Sequence, residues 1–406
     1  MSWRAWSLLG ALLALGCTDP EVVYTYDAYS GPPVFPNRRT PIALPAGEVG
    51  FTSDNRSDTV TVVDLAGGEV ITERPVGRNP IDNDGPHHLA VHRASGVVVV
   101  ALAYPLPEIV PGPHAQHGLS IRAGFVQKLA LDDLRPLGEV RVEENPGDIV
   151  ISDDGSLVAV AHYDLNRALE NPGDLEKQRA TVALMRTDEI LESGSPPPVS
   201  VSTCIAPHGV ALSRPDGAFA YAACYGEDSV AIVDTRNPDA EIVRVPVGSA
   251  ASIGVPTYGP YSATLSPAGD RIALGNLESR DVRIFDVAMS AMAGITVMSM
   301  GQPFFVGWSS DGQRLYIPTQ VPDEVVMADA TTGQVLQIAP MDPDDCILPH
   351  EIVPSSSGDV IYLVCEGDHK VPGTVLALDA MTLATLWTSP VGVYPDRLAV
   401  ITGGAQ

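Results

Sequence analysis

Short apolar runs separated by polar turns recur along most of this chain. Within residues 204–234 the runs Val210-Ala211-Leu212, Ala220-Tyr221-Ala222-Ala223 and Val230-Ala231-Ile232-Val233 are divided by Pro215-Asp216-Gly217 and Gly226-Glu227-Asp228. Runs this short, bounded by Pro, Asp and Gly, predict strand, tight turn, strand, turn, strand. The frame repeats with a period of about 40 to 60 residues and four strands per unit, the signature of a β-propeller. Seven first strands open with a proline: Pro86, Pro146, Pro207, Pro260, Pro303, Pro349 and Pro395. Turns follow at Asp154-Gly155, Asp216-Gly217, Ala268-Gly269, Asp311-Gly312 and Ser357-Gly358. No second, third or fourth strand follows Pro395, whereas residues 49–71 supply three strands without an opening. The pattern therefore predicts one all-β, seven-bladed β-propeller over residues 46–402. Its last blade is closed by N-terminal strands plus the C-terminal strand, which leaves no free sheet edge.

The N-terminus breaks this pattern. Arg4 precedes an apolar run that ends at Ala14-Leu15-Gly16-Cys17, which reads as a signal peptide over residues 1–16. Small residues before a Cys that is followed by Thr18-Asp19-Pro20 resemble a bacterial lipoprotein box. That resemblance implies lipidation of Cys17, an aperiodic tether over residues 17–45, and sorting to the outer membrane. The expected location is across the inner membrane, lipid-anchored and facing periplasm or cell surface. The membrane is then a partner through the lipid anchor only.

Removing Cys17 from the five cysteines leaves four. Cys204 and Cys346 each lie four residues before a His, and Cys224 and Cys365 each end the strand that follows. This repeat predicts disulfides Cys204–Cys224 and Cys346–Cys365 across hairpins, as an oxidising compartment permits. The formal charge of −26 excludes nucleic acid as a partner, because phosphates would be repelled.

The repeat resembles YVTN-type propellers and the lactonase-like seven-bladed group. The carrying residues are 207–234 and Ser309-Ser310-Asp311-Gly312 with Tyr316. The resemblance implies the fold; such folds host many activities, so function has to come from a site.

The nine His supply a candidate. His87, His208 and His350 directly follow opening prolines, and Asp396 is their equivalent after Pro395. Equivalent positions at the opening of each blade lie nearest the central channel. With His88 they form a predicted set for a transition metal or zinc, with Asp82, Asp84 and Glu351 nearby. His114, His117, His162 and His369 are expected on the same face, His92 on the other. Loops at residues 104–122, 164–179 and 248–259 are expected to surround the channel mouth. A lone His at such a position equally serves to bond backbone. No His-Glu-x-x-His, Cys-x-x-Cys-His, phosphate-binding Gly loop or Gly-x-Ser-x-Gly occurs.

Three functional readings follow. The preferred one is a membrane-tethered binding scaffold, not an enzyme, whose His-rich face holds a metal, a protein or small-molecule ligand, or a redox partner. The second is a lactonase-like or lyase-like metal-assisted enzyme. The third is a purely structural surface protein.

Overall fold

The computed structural model describes residues 39–80, 83–105 and 118–402. The signal peptide, Cys17, most of the tether, Asp82, His114 and His117 lie outside the described residues. No helix among the described residues is long and apolar enough to cross a membrane.

Seven antiparallel sheets of four strands form the blades, and successive blades touch in ring order, through their first strands everywhere except between blades four and five, where the second strand of blade four meets the first of blade five. Those first strands are Pro86–His92, Pro146–Ile151, Pro207–Leu212, Pro260–Leu265, Pro349–Pro354 and Pro395–Thr402, with blade five split into Gln302–Pro303 and Gly307–Trp308. All seven proline openings thus begin blades, as the periodicity predicts. The split in blade five arises because Phe305 leaves its own sheet. Its N–H donates to His350 O, and its carbonyl accepts from Ile352 N in blade six.

The seventh sheet pairs Pro395–Thr402 with Glu48–Asp54, then Thr59–Asp64 and Glu69–Pro75. In its register Val49 faces Ile401 and Phe51 faces Ala399. The ring is therefore closed by both ends of the chain. Apolar layers fill the spaces between blades; one joins Val49, Phe51 and Val62 of blade seven to Leu89, Val98 and Val100 of blade one. Strands covered on both faces have to be apolar on both, which is why the strands read as near-continuous Val and Ala runs.

Both predicted disulfides are present. The expected hairpin geometry needs correction. Cys204 belongs to the last strand of blade two, Val199–Ile205, while Cys224 ends the second strand of blade three, Phe219–Cys224. The bond staples two neighbouring blades. Cys346 likewise sits in the connection from blade five into blade six. Each closes a loop of 20 or 19 residues, worth roughly 3 kcal/mol on the chain-entropy account.

The segment expected as a loop at 164–179 forms two short helices, Leu165–Glu170 and Leu175–Gln178, capped by the Asp164 and Asp174 carboxylates. The 248–259 loop is irregular and is pinned by one buried side chain. Asp228 accepts from the backbone N–H of Ser252, Thr257, Tyr258 and Gly259.

Candidate metal centre

The blade openings share one backbone device. The residue before the proline has positive φ in six blades: Gly85, Asn145, Ala206, Gly259, Leu348 and Tyr394. Directly after the proline the pairing register slips, between Pro86 and Leu89, Pro146 and Ile149, Pro207 and Val210, and at the matching place in blades four, six and seven. Such a bulge turns two consecutive side chains out of the alternating pattern. The first and second residues after each proline therefore both reach the axis. Where a side chain would collide the position is glycine: a Cβ on Gly209 would lie 2.5 Å from Ala263 N.

The first-position residues His87, His208, His350 and Asp396 are fully buried. The donor nitrogens of His87, His88 and His208 lie within 4.8 Å of one another. His88 is central, with ring centroids 4.3 Å from His87, 5.6 Å from His208 and 5.9 Å from His350. Asp396 Oδ2 is 3.9 Å from His87 Nε2. His350 stands beside the trio, its Nε2 3.9 Å from Glu366 Oε1.

Tautomers follow from the partners. His87 Nδ1 lies 3.2 Å from the carbonyl oxygen of Pro146. His350 Nδ1 bonds the carbonyl oxygen of Asp396. A carbonyl only accepts, so each Nδ1 carries the proton and Nε2 is the basic nitrogen of the neutral ring. His88 Nδ1 lies 2.9 Å from Asp148 Oδ1, with the same consequence. Burial pushes the His88 imidazole well below the ordinary histidine range, and His87, Arg397, His208 and His350 push the same way. It is therefore a neutral donor at neutral pH.

Sequence reasoning named His88 and Glu351 but missed Asp148 and Arg397, which complete a second tier. Asp148, Glu351 and Arg397, like His88, occupy the second position after the opening proline. Arg397 Nη1 sits 3.4 Å from Asp148 Oδ1 and 3.3 Å from Glu351 Oε1. Its guanidinium lies over the Phe305 ring at 4.8 Å. The first-position equivalence already visible in the sequence, extended by one residue, would have found all four. Burial opposes the charge on Arg397, but Glu351 and Asp148 outweigh it and raise its pKa. Burial pushes Glu351 up to about 7 and holds Asp396 well above the carboxylate range, with Glu366 adding to the latter.

Other predicted residues do other work. Asp84 clamps a loop through the N–H groups of Arg78 and Asn79. His162 bonds Thr181 O at 3.1 Å. His369 stacks on Tyr394 at 3.6 Å and pairs with Glu366 at 2.8 Å. His92 lies 3.1 Å from Asp153 O, beside the Asp154-Gly155 turn.

The donor set fits a metal of the zinc type. Tetrahedral sites with bonds of about 2.0–2.1 Å space their ligands by about 3.4 Å, so nitrogens up to 4.8 Å apart have to draw together by up to about 1.4 Å. Asp148, Glu351, Glu366 and Asp396 are all buried, and the partly buried Arg397 guanidinium pairs with the first two. That acidic surplus is what a bound cation would offset.

No protein-family model and no curated relative matches this chain. Solved structures do. A 6-phosphogluconolactonase-like protein from Bacteroides uniformis superposes with a TM-score of 0.61 at 15% identity, covering 88% of this chain and 100% of its own. The periplasmic gluconolactonase of Pseudomonas aeruginosa gives 0.60 at 18%, over 88% and 99%. The dihydro-heme d1 dehydrogenase NirN gives 0.55 at 16%, over 92% and 79%. At these identities the likeness shows the seven-bladed fold and nothing finer.

Proposed function

We propose that the axial channel binds a divalent transition metal, zinc foremost. We further propose that the protein is a metal-assisted hydrolase of the lactonase kind, working outside the cytoplasm and tethered through Cys17. The observation that carries this is the buried trio: one ring nitrogen from each of His87, His88 and His208 lies within 4.8 Å of the others, and partners on Nδ1 of His87 and His88 leave Nε2 as the basic nitrogen of each. Three neutral nitrogens are the donor set of a catalytic rather than a structural zinc site. The bound ion would polarise an ester carbonyl. Asp396, 3.9 Å from His87, would give its proton to the ring oxygen as the acyl C–O bond breaks. A water would add its hydroxyl to the acyl carbon and pass its other proton to His350 Nε2. One lactone and one water become one hydroxy acid, and the proton on His350 restores Asp396. Two fold neighbours bear lactonase names, so this fold hosts that class of reaction in other proteins. The two disulfides support an extracytoplasmic setting.

A second reading, a metal-holding scaffold for a ligand or redox partner, is favoured by the complete burial of the trio. Elemental analysis of protein purified from the periplasm separates the readings. About one metal per chain, lost in His87→Ala/His208→Ala, is expected, and turnover of a lactone panel then supports the hydrolase. Metal without turnover leaves the scaffold, and metal-free protein overturns both. Cys17→Ser is expected to move the protein from the membrane fraction to the soluble one; unchanged partition overturns the tether.

A further inference from the structure

We infer that Asp148 is the positioning residue that makes His88 a ligand, locking it to blades three and seven through one carboxylate; this rests on the metal-centre reading above. Asp148 is fully buried in the bulge of blade two. Its Oδ1 accepts from His88 Nδ1 at 2.9 Å in blade one and lies 3.4 Å from Arg397 Nη1 in blade seven. Its Oδ2 accepts from Val210 N at 3.1 Å in blade three. Both oxygens are thus committed, to three other blades. An ionised carboxylate only accepts, so the proton of a neutral His88 has to stay on Nδ1. Carboxylates that hold the far nitrogen of a ligating imidazole set its tautomer and orientation, and their loss typically costs 10–100-fold in metal affinity. Because His88 touches His87, His208 and His350, fixing its ring fixes the centre of the cluster. Burial raises the Asp148 pKa, and Arg397 at 3.4 Å and the Val210 N–H oppose it, favouring the accepting form.

Asp148→Asn tests this stereochemically. The amide oxygen is expected on the Val210 N–H, a fixed backbone donor at 3.1 Å, since the Arg397 donor at 3.4 Å sits on a side chain that can turn to Glu351. The NH2 then faces His88 Nδ1, and the imidazole is driven to the Nε2–H tautomer, which cannot ligate. Three results are expected. Zinc affinity measured by competition with a chromogenic chelator falls about 10–100-fold. Two-bond 15N–1H correlation spectra of metal-free protein, with His88 assigned by the loss of its signal in His88→Gln, show Nδ1–H in the wild type and Nε2–H in Asp148→Asn. In a His88→Ala background, Asp148→Asn changes zinc affinity by less than about twofold, because a residue acting through another loses its effect when that partner is gone. Wild type with His88 as Nε2–H, or an equal loss of affinity in the His88→Ala background, overturns the positioning role. If Asp148→Asn does not fold, the wild-type tautomer decides alone. A wild type that shows Nδ1–H yet binds no zinc overturns the metal centre and the ligand role with it. That result is distinct from zinc binding with the wrong tautomer, which overturns only the role of Asp148.

Discussion

Blades one, three, six and seven and blades four and five carry different side chains at the same backbone position. After the opening proline the first group places His87, His208, His350 and Asp396; the second places Tyr261 and Phe304, with Phe305 next to it. The polar half brings titratable groups together. The aromatic half packs against them: Tyr261 stacks on His208 at 3.6 Å, Phe304 lies 5.2 Å from His350, and Phe305 lies 5.0 Å from His88. The repeat delivers positions to the axis, and side-chain identity divides that axis into a donor wall and a dry wall. The dry wall matters electrostatically, since burial is the main cause of the neutrality of His88.

The comparison is broken most strongly from the aromatic side. Phe304 is fully buried, and Phe304→Ala should cost about 3–5 kcal/mol in urea unfolding; a loss under about 1 kcal/mol would mean the wall is not packed. From the donor side, His208→Ala should weaken zinc binding by about 100-fold, about 2.7 kcal/mol, in a chelator competition, while Tyr261→Phe, which keeps the stacked ring, should change it by less than about threefold. Equal effects of the two would erase the distinction between the walls.

The polar half should also carry the pH dependence. Burial pushes Asp54, at the blade-seven opening, from 3.8 up to about 7 despite hydroxyl donors from Thr61, Thr52 and Thr59. Between about pH 4 and 7 the folded chain keeps a proton that the unfolded chain has released. This contribution to stability is present at low pH and lost as pH rises through that window. His88, buried and neutral, works in the opposite sense and costs stability as pH falls below its ordinary value. Comparing wild type with Asp54→Asn isolates the first effect: the stability advantage of wild type over the variant should shrink from pH 4 to pH 7, and a constant difference would refute it. The smallest effect belongs to the opposite rim, where His92→Ala should leave zinc affinity unchanged and shift stability by about 0.5 kcal/mol or less.

Most of the fold was legible because a propeller is built from local units. Each opening proline, each Asp-Gly turn and each apolar run acts within about 40 residues of chain, and repetition makes the signal unmistakable. Ring closure was legible for the same reason, as three strands without an opening at one end and an opening without strands at the other. The first-position histidines could be placed on the axis once the blades were in register.

The tertiary structure alone decided the rest. A slip of register after the opening proline, invisible in an apolar-polar pattern, turned the second position inward and added Asp148 and Arg397 beside Glu351. It also decided that Cys204 lies on the last strand of blade two, so that the disulfide joins blades instead of closing a hairpin. Protonation was likewise beyond the sequence: which nitrogen of His87, His88 or His350 holds the proton depends on an oxygen from another blade, at least 46 residues away along the chain. Strand periodicity is a property of neighbours in sequence, whereas tautomer, burial and charge pairing are properties of neighbours in space.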